Sequence, residues 1–290
     1  MARIAIVGGG SMGEALLSGL LRSGRQVKDL VVAERASQRT DYLSKTYSVR
    51  VADDVASAVE HAAYVIVAVK PADVDAVVTE IAEAAGRAEG SATEQVLVSV
   101  AAGVTTAFYE ARLPAGSPVL RVMPNAPALV GAGVSALAAG RFVTPEQVDA
   151  VAELFDSVGE VLTVAESQLD AVTAVSGSGP AYFFLIVEAL VDAAVAAGLS
   201  RPVATELAVQ TLAGSAAMLL DRMEADSSGS APEAVRPDTT AAALRALVTS
   251  PGGTTAAGLR ELERMGVRAA VAAAVEAAKT RSEQLGITSE

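Results

Sequence analysis

The stretch Arg3–Leu21, RIAIVGGGSMGEALLSGLL, decides the fold. Ile4–Val7 is a short apolar run of strand length, and Met12–Ser23 has the length and apolar spacing of a helix. Between them GGGSMG fits the pattern G-x-G-x-x-G with Gly8, Gly10 and Gly13. The first glycine permits a tight turn, the second a close approach of backbone to a pyrophosphate, and the third close packing of helix on strand. The N–H groups at a helix start then face an anion. Gly8, Gly9, Gly10, Ser11, Met12 and Gly13 are therefore expected to bind the pyrophosphate of a dinucleotide.

Outward from this unit, apolar runs continue to alternate with helical stretches. Candidate strands are Ile4–Val7, Leu30–Ala33, Tyr64–Val69, Val96–Val100, Val119–Val122, Val134–Ala138 and Val161–Val164. The segments Met12–Ser23 and Ala72–Ala85 have helical length. Apolar strands joined by crossovers imply a parallel sheet covered on both faces and doubly wound, a Rossmann-type α/β domain over residues 1–164. From 165 to 290 the strand signal stops, and an all-α domain rich in alanine and leucine is expected. Its helices read as 181–198, 201–223, 239–248, 255–265 and 267–285, with an exposed loop at 225–237. So large an apolar helical set is expected to bury part of itself against another subunit.

The 290 residues carry 22 basic and 34 acidic side chains, a net charge of -12. That balance argues against a nucleic-acid or anionic-membrane partner. There is no cysteine and a single histidine, His61, so neither a thiolate nucleophile nor a His/Cys metal site is expected. The most apolar stretch, AYFFLIVEALVDAAVAAGL at 181–199, contains Glu188 and Asp192 and reads as a helix buried in protein rather than in lipid. MARIAIVGGG lacks the features of a signal peptide, so a soluble, cytoplasmic protein is expected.

Ligands of doubly wound sheets bind beyond the carboxyl ends of the strands. Three further segments fall there: Ala68-Val69-Lys70-Pro71, Val100-Ala101-Ala102, and the stiff turn around Asn125 in RVMPNAP. The second strand ends at Glu34-Arg35. The acid suits a ribose 2′-hydroxyl and hence NAD, whereas Arg35, Ser37 and Arg39 suit a 2′-phosphate, and the two signals conflict. In SGSGPAYFF, Ser178 reads as a helix N-cap with Pro180 in the first turn. In SPGGTTAAGL two glycines and two threonines open a helix, a nest of N–H groups suited to a carboxylate or to a capped turn.

With these motifs in this order, the chain resembles the pyrroline-5-carboxylate reductases along its whole length. The resemblance rests on GGGSMG, AVKP, VSVAAG, RVMPN, SGSGPA and, most specifically, SPGGTTAAGL. It implies a Rossmann domain followed by a helical dimerisation domain, with dimers arranged in some members as a larger ring. It also implies hydride transfer from NAD(P)H, with NADP(H) favoured and NAD(H) possible, to the C5 imine carbon, giving L-proline. Carried onto this sequence, Ala68–Pro71 and Val100–Ala102 line the nicotinamide side. Ser250, Gly252, Gly253, Thr254 and Thr255 hold the substrate, with Thr255 the partner of the ring nitrogen. Thr240 and Ala241 stand where many members have His-Pro, and Ala246 where many have an acid. Rival readings are a related imine or β-hydroxyacid reductase and a non-catalytic NADPH-binding sensor. The absence of lysine from Ser176 through Asp221 counts against a lysine base, and the intact SPGGTT segment against a sensor.

Overall fold

The computed structural model describes residues 2–87, 95–227 and 240–287. It divides into two compact units, Met1–Pro180 with Val275–Glu290, and Ala181–Ala274. Among the described residues strands end by residue 163, and by compactness the first unit runs on to 180 and takes in the end of the last helix.

In chain order the first unit holds β1 Ile4–Val7, α1 Ser11–Arg22, β2 Leu30–Ala33, α2 Ser37–Tyr47, β3 Arg50–Ala52, α3 Val55–Val59, β4 Tyr64–Val67, α4 Val74–Arg87, β5 Val96–Ser99, α5 Thr106–Glu110, β6 Val119–Met123, β7 Gly133–Ala139, α6 Pro145–Asp156 and β8 Gly159–Thr163. The sheet order is β3-β2-β1-β4-β5-β6-β7-β8. The chain leaves β1 outward to β2 and β3, then returns to the other side of β1 with β4, so the order reverses at β1.

Each central strand is buried on both faces, and alternation sorts its side chains into two cores. Ile4, Ile6, Leu30, Val32, Ile66 and Val98 pack with Leu16, Leu17 and Leu20 of α1 and Phe155 of α6. Ala5, Val7, Val31, Val65, Val67 and Leu97 pack with Val59 of α3, Val78 and Ile81 of α4 and Tyr109 of α5.

Two features differ from the sequence reading. The three-residue edge strand β3 shows no periodicity to read, yet pairs in parallel with β2. The sheet is also not wholly parallel: β7 runs antiparallel to β6, and β8 parallel to β7. Only 124–132 separate β6 from β7, too few residues for a parallel crossover, so the chain must turn back.

Helix α7, Leu169–Val172, passes through a π turn at Thr173–Gly177 directly into α8, Gly179–Ala196. Ser178 is therefore not an N-cap. Its backbone is helical and its N–H donates to Thr173 O at 2.8 Å, because the helix has already begun nine residues earlier.

The second unit holds the rest of α8, α9 Arg201–Ser227, α10 Thr240–Leu247, α11 Thr254–Arg264 and the start of α12 Val267–Ile287. The loop expected at 225–237 begins inside α9, and its remainder lies outside the described residues. The expectation that 181–199 is buried is not met within the chain. Phe183, Phe184, Leu185, Ile186 and Leu190 are all exposed, since so few helices leave much of their apolar surface outward. The helices Glu166–Ala196 and Arg201–Glu224 are long and apolar enough to cross a membrane by length and composition, with mean hydropathy 1.6 and 1.4.

Candidate active site

The parallel strands β1, β2, β4 and β5 end side by side, which places Gly8–Gly13, Glu34-Arg35, Ala68–Pro71 and Val100–Ala102 along one edge. The order reversal at β1 puts the glycine turn at the middle of that edge, the topological position at which ligands of doubly wound sheets bind.

Gly8 and Gly13 each have a steric reason, and Gly10 has none within the chain. Gly8 has φ of +106°, and a Cβ on it would lie 2.6 Å from Ala68 O, so the turns after β1 and β4 touch here. A Cβ on Gly13 would lie 2.0 Å from Gly8 O. One on Gly10 would meet nothing within 4 Å. The loop is thus closed on the strand side and open at Gly10, the shape a pyrophosphate cradle requires. Gly10 is the N-cap of α1, no side chain caps it, and the first intrahelical bond runs from Glu14 N to Gly10 O. The N–H groups of Ser11, Met12 and Gly13 are the orphans of this first turn. Ser11 is exposed, while the Met12 side chain packs against the core. The residues fit a dinucleotide.

Beyond β2, Glu34 turns its carboxylate back onto the glycine loop. Oε2 accepts from Gly9 N at 3.0 Å, and Oε1 from Ala36 N at 2.8 Å. Arg35 is two-thirds exposed and pairs with Glu80. Arg39 donates from Nε to Gly9 O and from Nη2 to Glu14 Oε2, and its guanidinium lies 5.0 Å from the Tyr42 ring centroid. Burial raises the Glu14 carboxyl, but hydrogen bonds from Arg39, Tyr47 and Tyr42 more than offset it and hold the group below its ordinary value.

Beyond β4, Lys70 and Pro71 are exposed, and Pro71 opens a short 3-10 turn. Beyond β5, Ala101 is buried and Val100 and Ala102 half-buried. Ala101 N donates to Ser99 Oγ at 3.2 Å, and Ser99 Oγ shares a 2.5 Å hydrogen bond with the Tyr109 hydroxyl. Burial pushes Tyr109 up to about 12, so it stays protonated. A Cβ on Gly103 would approach Gly286 N to 3.1 Å, so the end of α12 lies against this loop. Asn125 uses its side chain on Val134 N at 2.9 Å, fixing the turn into β7.

A second cluster was not read from the sequence. Glu166 accepts from Thr106 N and Thr106 Oγ1, both at 2.7 Å, and from Arg121 at 3.0 Å. Burial pushes its carboxyl up, but these bonds bring it below the usual glutamate value. It ties the start of the 166–196 helix to β6 and α5. Lone charged residues separated by tens of positions carry no local signal of pairing.

In the second unit, SPGG forms a turn with Gly253 N donating to Ser250 O at 3.0 Å and Gly252 at φ of +71°. Gly253 is the N-cap of α11, again with no side-chain cap. Ser250, Gly252, Thr254 and Thr255 are exposed around this helix start. Amides and hydroxyls are gathered at a positive helix end, an arrangement that can hold a carboxylate.

Residues 3–103 match the family described as NADP oxidoreductase coenzyme F420-dependent, and 166–285 match pyrroline-5-carboxylate reductase dimerisation. A pyrroline-5-carboxylate reductase of Mycobacterium tuberculosis strain H37Rv is 69% identical over 100% of this chain and 99% of its own length. The chain belongs to the pyrroline-5-carboxylate reductase family. Among solved structures, the pyrroline-5-carboxylate reductase of Coxiella burnetii has a TM-score of 0.85 at 33% identity, covering 98% of each chain. The pyrroline carboxylate reductase of Plasmodium falciparum, solved with NADP bound, has a TM-score of 0.81 at 28% identity, again covering 98% of each chain. The glycine turn at Gly8–Gly13 lies within the first matched segment and the SPGGTT turn within the second. The second match also assigns to dimerisation the segment that contains the exposed apolar helices.

Proposed function

We infer that this chain reduces 1-pyrroline-5-carboxylate to L-proline at the expense of NAD(P)H, the last step of proline biosynthesis. The observation that carries the reading is the pair of uncapped, glycine-entered helix starts, at Gly10 and Gly253, in a chain of this family. The nicotinamide supplies the hydride when bound. The Ser11, Met12 and Gly13 amides hold its pyrophosphate, and Ala68–Pro71 and Val100–Ala102 line the nicotinamide side. Ser250, Gly252, Gly253 and Thr254 hold the substrate carboxylate. The Thr255 hydroxyl donates to the ring nitrogen and orients the C5 carbon. A cyclic imine is basic enough to arrive partly protonated, so a positioned donor suffices and the rate comes from orientation and exclusion of water. NADPH is the favoured cofactor: both Glu34 oxygens already accept N–H groups, and exposed Arg35 can exchange Glu80 for a 2′-phosphate. The exposed apolar helices pair in a homodimer, which in turn builds a ring of dimers, in the cytoplasm and without a membrane.

The test is cofactor oxidation by the purified chain on addition of pyrroline-5-carboxylate. Substrate-dependent oxidation with proline as product is expected. No oxidation with either cofactor would refute the reading.

A further inference from the structure

We propose that Glu34 and Arg39 are positioning residues that clamp the glycine loop at Gly9, setting the affinity for either dinucleotide rather than choosing between them. This rests on the reading that the loop holds a dinucleotide pyrophosphate.

Three contacts converge on one residue. Glu34 accepts the Gly9 N–H at 3.0 Å, Arg39 donates to the Gly9 carbonyl, and the absent Gly9 side chain is replaced by Leu43. A Cβ there would meet Leu43 Cδ1 at 2.5 Å and Glu34 Oε2 at 3.1 Å. Both polar groups of the Gly9 backbone are therefore held from β2 and α2, next to Gly10, where the loop is open. A loop shaped in advance loses less freedom when a ligand binds.

Arg39 has a second task. Glu14 lies in the first turn of α1, where its negative charge opposes the anion that the helix start attracts. Arg39 pairs with that carboxylate, and the Tyr42 and Tyr47 hydroxyls bond it at 3.0 and 2.8 Å. Paired with Arg39 and bonded by two tyrosine hydroxyls, the Glu14 carboxylate is neutralised beside the helix start. The pyrophosphate is common to NADH and NADPH. A residue acting through the loop must affect both equally, whereas a ligand of the 2′-phosphate affects NADPH alone.

The experiment is fluorescence titration of NADH and NADPH with the full chain and with Arg39→Met, together with cofactor KM and kcat for each. The clamp predicts that both dissociation constants rise by the same factor, on the order of ten- to hundredfold for a lost charge-assisted bond. The loss should fall on KM, with kcat at saturation little changed, and Arg39→Lys should recover part of it. Adding Glu14→Gln to Arg39→Met should also recover part of it. A loss confined to NADPH, or no loss, overturns the proposal. If Arg39→Met does not fold, Glu34→Gln, which keeps shape but can accept only one of the two amides, carries the same expectation. Binding of neither cofactor by the unaltered chain overturns the dinucleotide reading itself and the clamp with it.

Discussion

Replacing Gly10 and Gly13 separately by alanine tests whether the glycine turn is built for the fold or for the ligand. At Gly13 the new Cβ would sit 2.0 Å from Gly8 O, where an ordinary contact needs more than 3 Å, so α1 must retreat from β1 by over 1 Å. Overpacking of this size costs about 1–3 kcal/mol in stability. A shift of about 1 Å in a positioning element can cost about a hundredfold in rate. At Gly10 the new methyl meets nothing within 4 Å, and its φ of -68° suits any residue. Removing a glycine there stabilises the chain by about 0.5 kcal/mol through the unfolded state. Yet that methyl occupies the space through which the pyrophosphate must approach. Thermal unfolding without ligand and NADPH titration by fluorescence separate the two effects. Gly13→Ala should melt lower and bind weakly. Gly10→Ala should melt at or slightly above the parent's temperature and still lose at least tenfold in affinity. If Gly10→Ala bound NADPH as tightly as the parent, the pyrophosphate would not pass over this turn.

Three further expectations follow from the same geometry. Thr255→Ala should lower kcat by about a hundredfold, the usual effect of removing one positioned donor, while Thr255→Ser retains most of it; equal rates for all three proteins would remove the nitrogen contact. Glu166 is held below its ordinary value, so its contribution is complete above the unfolded glutamate value and is lost as pH falls through the folded one. Urea unfolding should therefore show Glu166→Gln about 2 kcal/mol less stable than the parent near pH 7, with the gap closing below about pH 4, and a constant gap would refute the charged network. Phe184→Asp with Leu185→Asp, on the exposed face of α8, should convert the oligomer to monomers in sedimentation, whereas an unchanged mass would place the interface elsewhere.

How far the sequence carried the fold depended on how local each signal was. Ile4–Val7 and α1 could be read because strand, glycines and helix lie in one run of residues, and the steric demands at Gly8 and Gly13 follow from that order. The reversal at β7 was hidden because it follows from the length of 124–132, not from any side chain. Ser178 misled because serine before glycine and proline suits an N-cap, yet the π turn had already carried the helix past it. Glu34 and Arg35 stand in the sequence as opposed candidates for the adenosine ribose, and their partners within the chain are not legible there. The structure shows Glu34 on Gly9 and Ala36, and Arg35 on Glu80, pairings between residues up to 45 positions apart that no spacing rule reports. The SPGGTT turn was legible as a helix start, but its substrate came from family resemblance alone.

On the function proposed above, hydride passes from a nicotinamide held over Gly8–Gly13 to the C5 carbon of the cyclic imine. The most direct measurement is isotopic: turnover with NADPH carrying deuterium on the transferred position of C4, followed by mass spectrometry and NMR of the proline formed. One deuterium located at C5 is the expected result. Proline without deuterium, deuterium at another carbon, or no proline at all would contradict the account.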